Sequence, residues 1–337
     1  MKTKMVAMVL IFLEIFGVVP RQVYATGDDK KKDPGEIGNR RVAHRSMISE
    51  EKEIAIGKQY ASEIDKSAKI MTDPVINEYV NRVSQNIARN SDLNIPLTVK
   101  VIDSPGINAF ALPGGFLYVN SGLLLEADSE SQIAGVIAHE IAHVAARHWA
   151  SQMTKATLAR LATMPLLFIP MGYAVYYGIM EAYMNGIPLV FLKFSRDDEA
   201  EADYLGLQYL YKSGYDPQSY TEIFSKVIQE ERQSPGSVPK IFMDHPPTPD
   251  RMLSIDQEMK QILPAMPQYL VSTSEFDDVK ARLETLVTAK RKSDKQENNP
   301  TLKKREGSEV PGDDKTQQDK NKDDKKDNPP VLRRRDD

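Results

Sequence analysis

Cysteine is absent from this sequence of 337 residues. Without a thiol, the chain has no disulfide framework, no thiolate zinc finger, no iron–sulfur cluster and no cysteine nucleophile. It also lacks the cysteine that carries the lipid of a bacterial lipoprotein. Folding of such a chain does not depend on the redox state of its compartment, so an oxidising location is compatible with it.

An excess of charge of one sign is also missing. The chain has 44 Lys and Arg against 48 Asp and Glu, a formal net charge of -4, so the composition gives no indication of a nucleic-acid partner. Long apolar runs are missing too, because Pro and Gly interrupt the most apolar stretch, residues 158–194. We expect two or three helices there that cover a cleft, with contact to a membrane surface as the alternative.

The two ends of the chain differ in composition from its middle. Residues 1–25 combine a basic start, an apolar stretch and a small-residue cleavage site, which is typical of a secretory signal peptide. An uncleaved anchor is the alternative, and either way the rest of the chain would be exported. Residues 26–45 are predicted to be a polar linker, and residues 291–337, with four apolar side chains, a disordered charged tail. Residues 46–290 are left as the folded domain.

Capping residues and periodicity predict a mostly helical α+β domain with one small sheet. Ser49, and Asp73 followed by Pro74, are expected to begin helices. The run from Leu97 to Ile102 is predicted to be a strand, and the Gly114–Gly115 pair to separate the two strands of a hairpin. An Ala-rich helix is expected over residues 131–147, and later helices near Asp216, Thr248 and Ser274.

Five histidines occur in the chain, and three of them fall within ten residues. His139 and His143 flank Glu140 in the pattern His-Glu-Ile-Ala-His on the Ala-rich helix. Positions four apart lie about 40° apart around a helix, so the two imidazoles can bind one ion while Glu140 reaches a water beside it. The alternative is a pair of satisfied surface histidines, which the apolar character of this helix disfavours.

A zinc peptidase needs a third protein ligand. His148 is expected to point elsewhere, because it lies about 140° around the helix from His143, and to interact with the helix C-terminus. Glu199 is the better candidate. On a helix it shares a face with Asp203, which can accept a hydrogen bond from a ligand imidazole, while Glu201 points almost oppositely. A solvated acidic helix start is the alternative.

These motifs, with the run from Asn108 to Gly115 and Asp244-His245-Pro246, resemble the zinc metallopeptidases that include CAAX prenyl endopeptidase, HtpX and BepA (family M forty-eight). The resemblance runs from about Ser49 to about Arg251. It is closest to the soluble periplasmic BepA-like branch, although a charged tail stands where BepA has a repeat domain.

The resemblance implies a zincin-like fold in which Asn108, Ala109, Phe110 and Ala111 form the edge strand that binds substrate. An extended peptide could pair with the free main-chain groups of such a strand, and an ordinary buried hairpin is the alternative. The resemblance also implies that His245 approaches the metal from a loop, as a fourth ligand or as a stabiliser of the oxyanion. An inert loop histidine is the other interpretation.

Together the motifs predict an exported zinc metalloendopeptidase with one Zn²⁺ per chain, held by His139, His143 and Glu199, with Glu140 as general base. Unfolded or misassembled proteins of the periplasm or outer membrane are the expected substrates, and nucleic acid is not an expected partner. The alternative is an outer-membrane assembly factor of chaperone-like character whose zinc site is latched and rarely active.

Overall fold

The computed structural model describes residues 33–164, 194–233 and 248–297, together with Tyr177 and Met180. The predicted signal peptide, the tail beyond residue 297, the loop of His245 and most of residues 158–194 lie outside these described residues. The assignments made for those segments stay predictions.

The described part of the chain is mostly helical and has one small sheet, which confirms the α+β prediction. A short 3-10 turn, Pro34–Glu36, precedes the first helix. The helices are α1 (Glu50–Ser67), α2 (Pro74–Arg89), α3 (Ser121–Glu126), α4 (Glu130–Ala145), α5 (His148–Thr163), α6 (Arg196–Lys212), α7 (Gln218–Gln233), α8 (Pro249–Ile262) and α9 (Ser274–Glu297), and the strands are β1 (Thr98–Ile102), β2 (Ala109–Leu112) and β3 (Phe116–Asn120).

The helix starts follow the capping chemistry of the sequence. The Ser49 side chain accepts the Lys52 N–H at 3.3 Å at the start of α1. Asp73 accepts the N–H groups of Val75 and Ile76 at the start of α2, where Pro74 has no N–H to satisfy. Both predicted starts are confirmed. The last helix, α9, continues to residue 297, past the boundary predicted at residue 290.

The sheet has the strand order β1-β3-β2, so β2 lies at an edge. Strand β1 runs parallel to β3, whereas β2 and β3 form the predicted antiparallel hairpin. The turn of this hairpin depends on glycine, because Gly114 has a φ of +77° and a Cβ there would lie 2.5 Å from the Cα of Ile54. The hairpin therefore packs directly on α1.

Helix α4 is the centre of the core. Every one of its residues is buried, and it packs on α2, α6, α7 and β2. The approach of α6 is especially close at Gly206, where a Cβ would lie 3.1 Å from the Cα of His139. A side chain at position 206 would therefore separate the two helices that carry the candidate ligands.

The segment before α1, part of which we predicted to be a linker, is attached to the core. Val42 is buried, and the Arg40 guanidinium donates to Asp92 at 2.9 Å and to Gln208 at 2.6 Å. Tyr209 also donates to Asp92, at 2.8 Å. Polar composition did not reveal this attachment, because a buried ion pair with its own hydrogen bonds replaces an apolar contact.

Among the described residues, no helix combines the length and the apolar character that crossing a bilayer requires.

Candidate metal centre

Three predicted ligands converge between α4 and α6. The Nε2 atoms of His139 and His143 lie 3.1 Å apart, and each lies 3.6 Å from a carboxylate oxygen of Glu199. Two donors of one tetrahedral Zn²⁺ at about 2.0–2.1 Å from the ion are separated by roughly 3.3 Å. The spacing and the nitrogen and oxygen donor set thus fit one metal ion of this size.

Helical phase explains why these side chains meet. His139 and His143 are one turn apart on α4, while Glu199 and Asp203 are one turn apart on α6. Ser195 and Asp198 close a capping box that sets where α6 begins, and Gly206 lets α6 approach α4. The exposed fractions of the four side chains are 5% or less.

Asp203 accepts a hydrogen bond from Nδ1 of His139, the ring nitrogen that faces away from the other ligands, as the sequence predicts. Its Oδ1 lies 3.1 Å from Nδ1, and the hydroxyl of Tyr220 lies 2.9 Å from the same nitrogen while donating to Asp203 at 3.1 Å. Burial opposes protonation of His139, but Asp203 and Glu199 outweigh that effect and raise its pKa to about 9. A metal ion bound at Nε2 competes with that proton.

Arg251 belongs to the centre, and the sequence analysis gave it no role there. Its guanidinium donates twice to Asp203, at 2.7 Å each, and Nη1 lies 3.0 Å from Glu199. Burial raises the pKa of Asp203, but the hydrogen bonds from His139 and Arg251 reverse that effect and hold it below its usual value. Because Arg251 is 48 residues distant from Asp203, no local pattern connects the two.

Glu140 faces the sheet, where its carboxylate Oε2 accepts the N–H of Ala111 at 3.0 Å. Asn108 accepts the N–H of Asn120 from β3, so alternation along the strand turns the main-chain groups of Ala109 and Ala111 away from β3. The predicted base therefore lies on the outward side of the edge strand. No other strand of the described residues pairs there.

The sequence analysis was wrong to place His148 at the C-terminal end of a continuous helix, although His148 is not one of the three converging ligands. Helix α4 ends at Ala145, Arg147 adopts a left-handed φ of +57°, and His148 begins α5. Extrapolating the helical phase past Ala145 misplaced the ring. The break between the two helices brings the Nδ1 of His148 to 2.9 Å from the Nδ1 of His143.

Two aromatic rings border the ligands without having been predicted. Phe194 stacks on His143 with a centroid separation of 4.2 Å, and Phe224 meets His139 edge-on at 6.3 Å. Apolar walls of this kind limit water near the ligands and keep the imidazole rings in place. His245, the remaining predicted site residue, lies outside the described residues.

Several known proteins are similar to this chain. A beta-barrel assembly-enhancing protease of Escherichia coli strain K12 is 29% identical over 292 residues, 84% of this chain and 57% of the relative. The protein of the same name from Yersinia pestis is 31% identical over 219 residues, 62% of this chain and 44% of the relative. A mitochondrial metalloendopeptidase, OMA1 of Arabidopsis thaliana, is 34% identical over 165 residues, 48% of this chain and 32% of the relative.

The chain spans about half the length of the curated relatives that it matches first. The model of one family, Peptidase family M48, matches residues 74–259, which is more than half of the chain. That range contains α4 and α6 with all the candidate ligands, and the C-terminal boundary falls after Arg251. The chain belongs to peptidase family M48.

Proposed function

We propose that the chain is an exported, zinc-dependent endopeptidase that hydrolyses peptide bonds of unfolded or misassembled proteins in the periplasm or outer membrane. The observation that carries the proposal is the convergence of His139, His143 and Glu199 with Glu140 placed between them and an edge strand. The names of the relatives, which speak of proteolysis and of β-barrel assembly, support the substrate class.

Zinc suits this centre because two imidazoles and one carboxylate leave a coordination position open, as catalytic zinc sites do. Bound there, Zn²⁺ would act as a Lewis acid on a water and on the scissile carbonyl. Glu140 would take the proton of the water and deliver it to the leaving amine. The Ala111 N–H holds the Glu140 carboxylate in position for both transfers.

The test separates metal binding from chemistry. Glu140→Gln preserves the shape of the side chain but removes the base, whereas His139→Ala removes a ligand. Zinc should be retained in the first variant and lost in the second. Digestion of casein and of an unfolded β-barrel protein should fall by about 10²–10⁴-fold in the first. Asp197→Asn, an exposed change on α6, is the control. Undiminished proteolysis by Glu140→Gln would refute the mechanism.

The edge strand offers a second test. An extended substrate is proposed to pair with the outward main-chain groups of Ala109 and with the carbonyl of Ala111, whose N–H is bonded to Glu140. Ala109→Pro removes an N–H that does not bond to β3, so in the folded variant KM should rise about tenfold. Phe110→Pro removes an N–H that faces β3 and should lower the unfolding temperature instead. An unchanged KM in a folded Ala109→Pro protein would contradict substrate pairing.

His245 distinguishes the second candidate function, a latched assembly factor that rarely cleaves. The relatives' names include assembly enhancement, which favours keeping this candidate. If His245 occupies the open coordination position, His245→Ala should raise basal proteolysis without loss of zinc. If it stabilises the oxyanion, the same change should slow turnover about 10²–10³-fold. An unchanged rate would leave His245 as a loop residue.

A further inference from the structure

A series of contacting side chains extends outward from His143 through His148 and Glu201 to His44, and it is called the side-chain series below. The Nδ1 of His143 lies 2.9 Å from the Nδ1 of His148, whose ring has no exposed surface. The other nitrogen of His148 lies 3.4 Å from the Oε2 of Glu201. The same oxygen of Glu201 lies 2.6 Å from the Nε2 of His44, in the segment before α1. Three consecutive contacts thus connect a candidate ligand to the N-terminal part of the fold.

A metal ion bound at Nε2 of His143 would fix the tautomers of His143 and His148. The proton of a neutral His143 then resides on Nδ1 and is donated to the Nδ1 of His148. His148, accepting at Nδ1, must carry its own proton on Nε2 and can donate it to Glu201. Glu201 therefore orients His143 through one intervening imidazole, whereas Asp203 contacts His139 directly.

His44, His148 and Glu201 also resemble a second metal site, because their donor atoms lie within 4.8 Å of one another. The proton positions argue against that use. A metal on the Nε2 of His148 would move its proton to Nδ1, where it would face the N–H of His143 at 2.9 Å. The 2.6 Å between His44 and Glu201 also matches a direct hydrogen bond better than the roughly 3.3 Å between two ligands of one zinc ion.

The N-terminal segment holds His44 in place. Its own backbone N–H donates to the carbonyl of Ala146 at 2.9 Å, and the Ser46 hydroxyl donates to the carbonyl of Ala150 at 2.9 Å. These bonds anchor the segment on both sides of the α4–α5 junction. Displacing the segment would break the contact between His44 and Glu201 without touching any metal ligand.

We propose that His148, Glu201 and His44 are positioning residues that fix the tautomer and orientation of His143, and so couple metal affinity to docking of the N-terminal segment. The inference rests on the proposed metal site. Partners of this kind around a ligand imidazole typically change metal affinity 10–100-fold when removed. We expect the loss of metal affinity on substitution to decrease with distance from the metal, from His148 to Glu201 to His44.

The test is a chelator competition that measures the zinc dissociation constant of the full chain. His148→Ala should weaken binding about 10–100-fold, Glu201→Ala about tenfold and His44→Ala two- to threefold. Glu201→Gln, which can still accept the hydrogen bond, should restore part of the affinity lost in Glu201→Ala. Asp197→Asn removes one negative charge from an exposed position of the same helix and should change affinity less than twofold.

A double-variant cycle distinguishes positioning from a general loss of structure. If Glu201 acts through His148, then Glu201→Ala should have little further effect in a His148→Ala background. Additive effects, or unchanged affinity in both single variants, would overturn the inference. So would two zinc ions per chain in the unaltered protein that fall to one in His44→Ala, because that result indicates a second metal site.

The outcomes also separate this inference from the proposed function. An unaltered chain that binds no metal, or a His139→Ala variant that binds as well as the unaltered chain, refutes the proposed metal site itself. Suppose that zinc binding is normal in the unaltered protein, is lost in His139→Ala and does not change when His148 or Glu201 is substituted. That result refutes only the positioning role of these two residues.

Discussion

The two histidines of the candidate metal centre have different surroundings. His139 meets the Asp203 carboxylate directly, and Arg251 compensates the negative charge there. His143 meets another imidazole, that of His148, and the nearest carboxylate on that path is Glu201, one residue further away. Helical phase alone places His139 on one face of α4 and Asp203 on one face of α6, whereas the cation beside Asp203 comes from the distant residue Arg251. The contact of His143 with His148 requires a break in the helix after Ala145.

Arg251→Gln should have the largest effect on this comparison. It would leave Asp203 and Glu199 buried without the guanidinium that pairs with both, and breaking a buried ion pair in this way costs about 3–5 kcal/mol of unfolding free energy. Urea denaturation of the metal-free protein measures the loss. Arg282→Gln, which removes an exposed pairing with Asp73, is a matched control and should cost less than about 1 kcal/mol. Equal losses would show that Arg251 does not neutralise the buried carboxylates of Asp203 and Glu199.

Asp203→Asn tests whether a direct carboxylate matters more than a remote one. The amide can still accept a hydrogen bond from His139 but carries no charge, so zinc affinity should fall about 10–100-fold. The loss in Glu201→Gln should be smaller, because an imidazole intervenes. Chelator competition on the two variants gives the ratio. A larger loss in Glu201→Gln would reverse the comparison.

Tyr220→Phe removes the hydroxyl that lies beside both His139 and Asp203. Since Asp203 and Arg251 stay in place, we expect zinc affinity to fall only two- to fivefold and unfolding free energy to fall by about 1 kcal/mol. Tyr215→Phe removes a hydroxyl bonded to Glu130, distant from the ligands, and serves as the control. Tyr215→Phe should lower the unfolding free energy by a similar amount and leave zinc affinity unchanged.

Glu258→Gln should give the smallest effect, and one that depends on pH. Burial, followed by the charge of Asp203, raises the pKa of Glu258 to about 7. A carboxyl whose pKa is raised by folding costs stability once it ionises, so the cost is absent below about pH 4.5 and complete above about pH 7. Thermal unfolding should therefore show Glu258→Gln to be more stable than the unaltered chain at pH 8 and equal to it at pH 4.5. Equal stability at both pH values would contradict the assignment.

Local patterns in the sequence were sufficient for much of the fold and half of the centre. Ser49 and Asp73 marked helix starts by their capping chemistry, and the Gly114–Gly115 pair marked the hairpin by its left-handed backbone. The phase of α4 put His139 and His143 on one face of that helix, and the phase of α6 did the same for Glu199 and Asp203. Each of these inferences depends on residues at most a few positions apart.

Contacts between distant residues were out of reach of the same reasoning. Arg251 and His44 come to the centre from elements 48 and 157 residues away from their carboxylate partners, and no periodicity connects such positions. His148 was misplaced for another reason, since Arg147 adopts a conformation that is uncommon for a residue with a side chain. Sequence proximity to His143 was a signal, but the assumption of a continuous helix hid it.

Gly206 bears on the spacing of the candidate ligands. The absence of a side chain there sets the distance between the helix that carries the two imidazoles and the helix that carries Glu199. Gly206→Ala would require the two backbones to separate by a few tenths of an ångström, and the gap between Glu199 and the imidazoles would widen with them. The width of that gap is then a property of helix packing, set by a residue that supplies none of the ligand atoms.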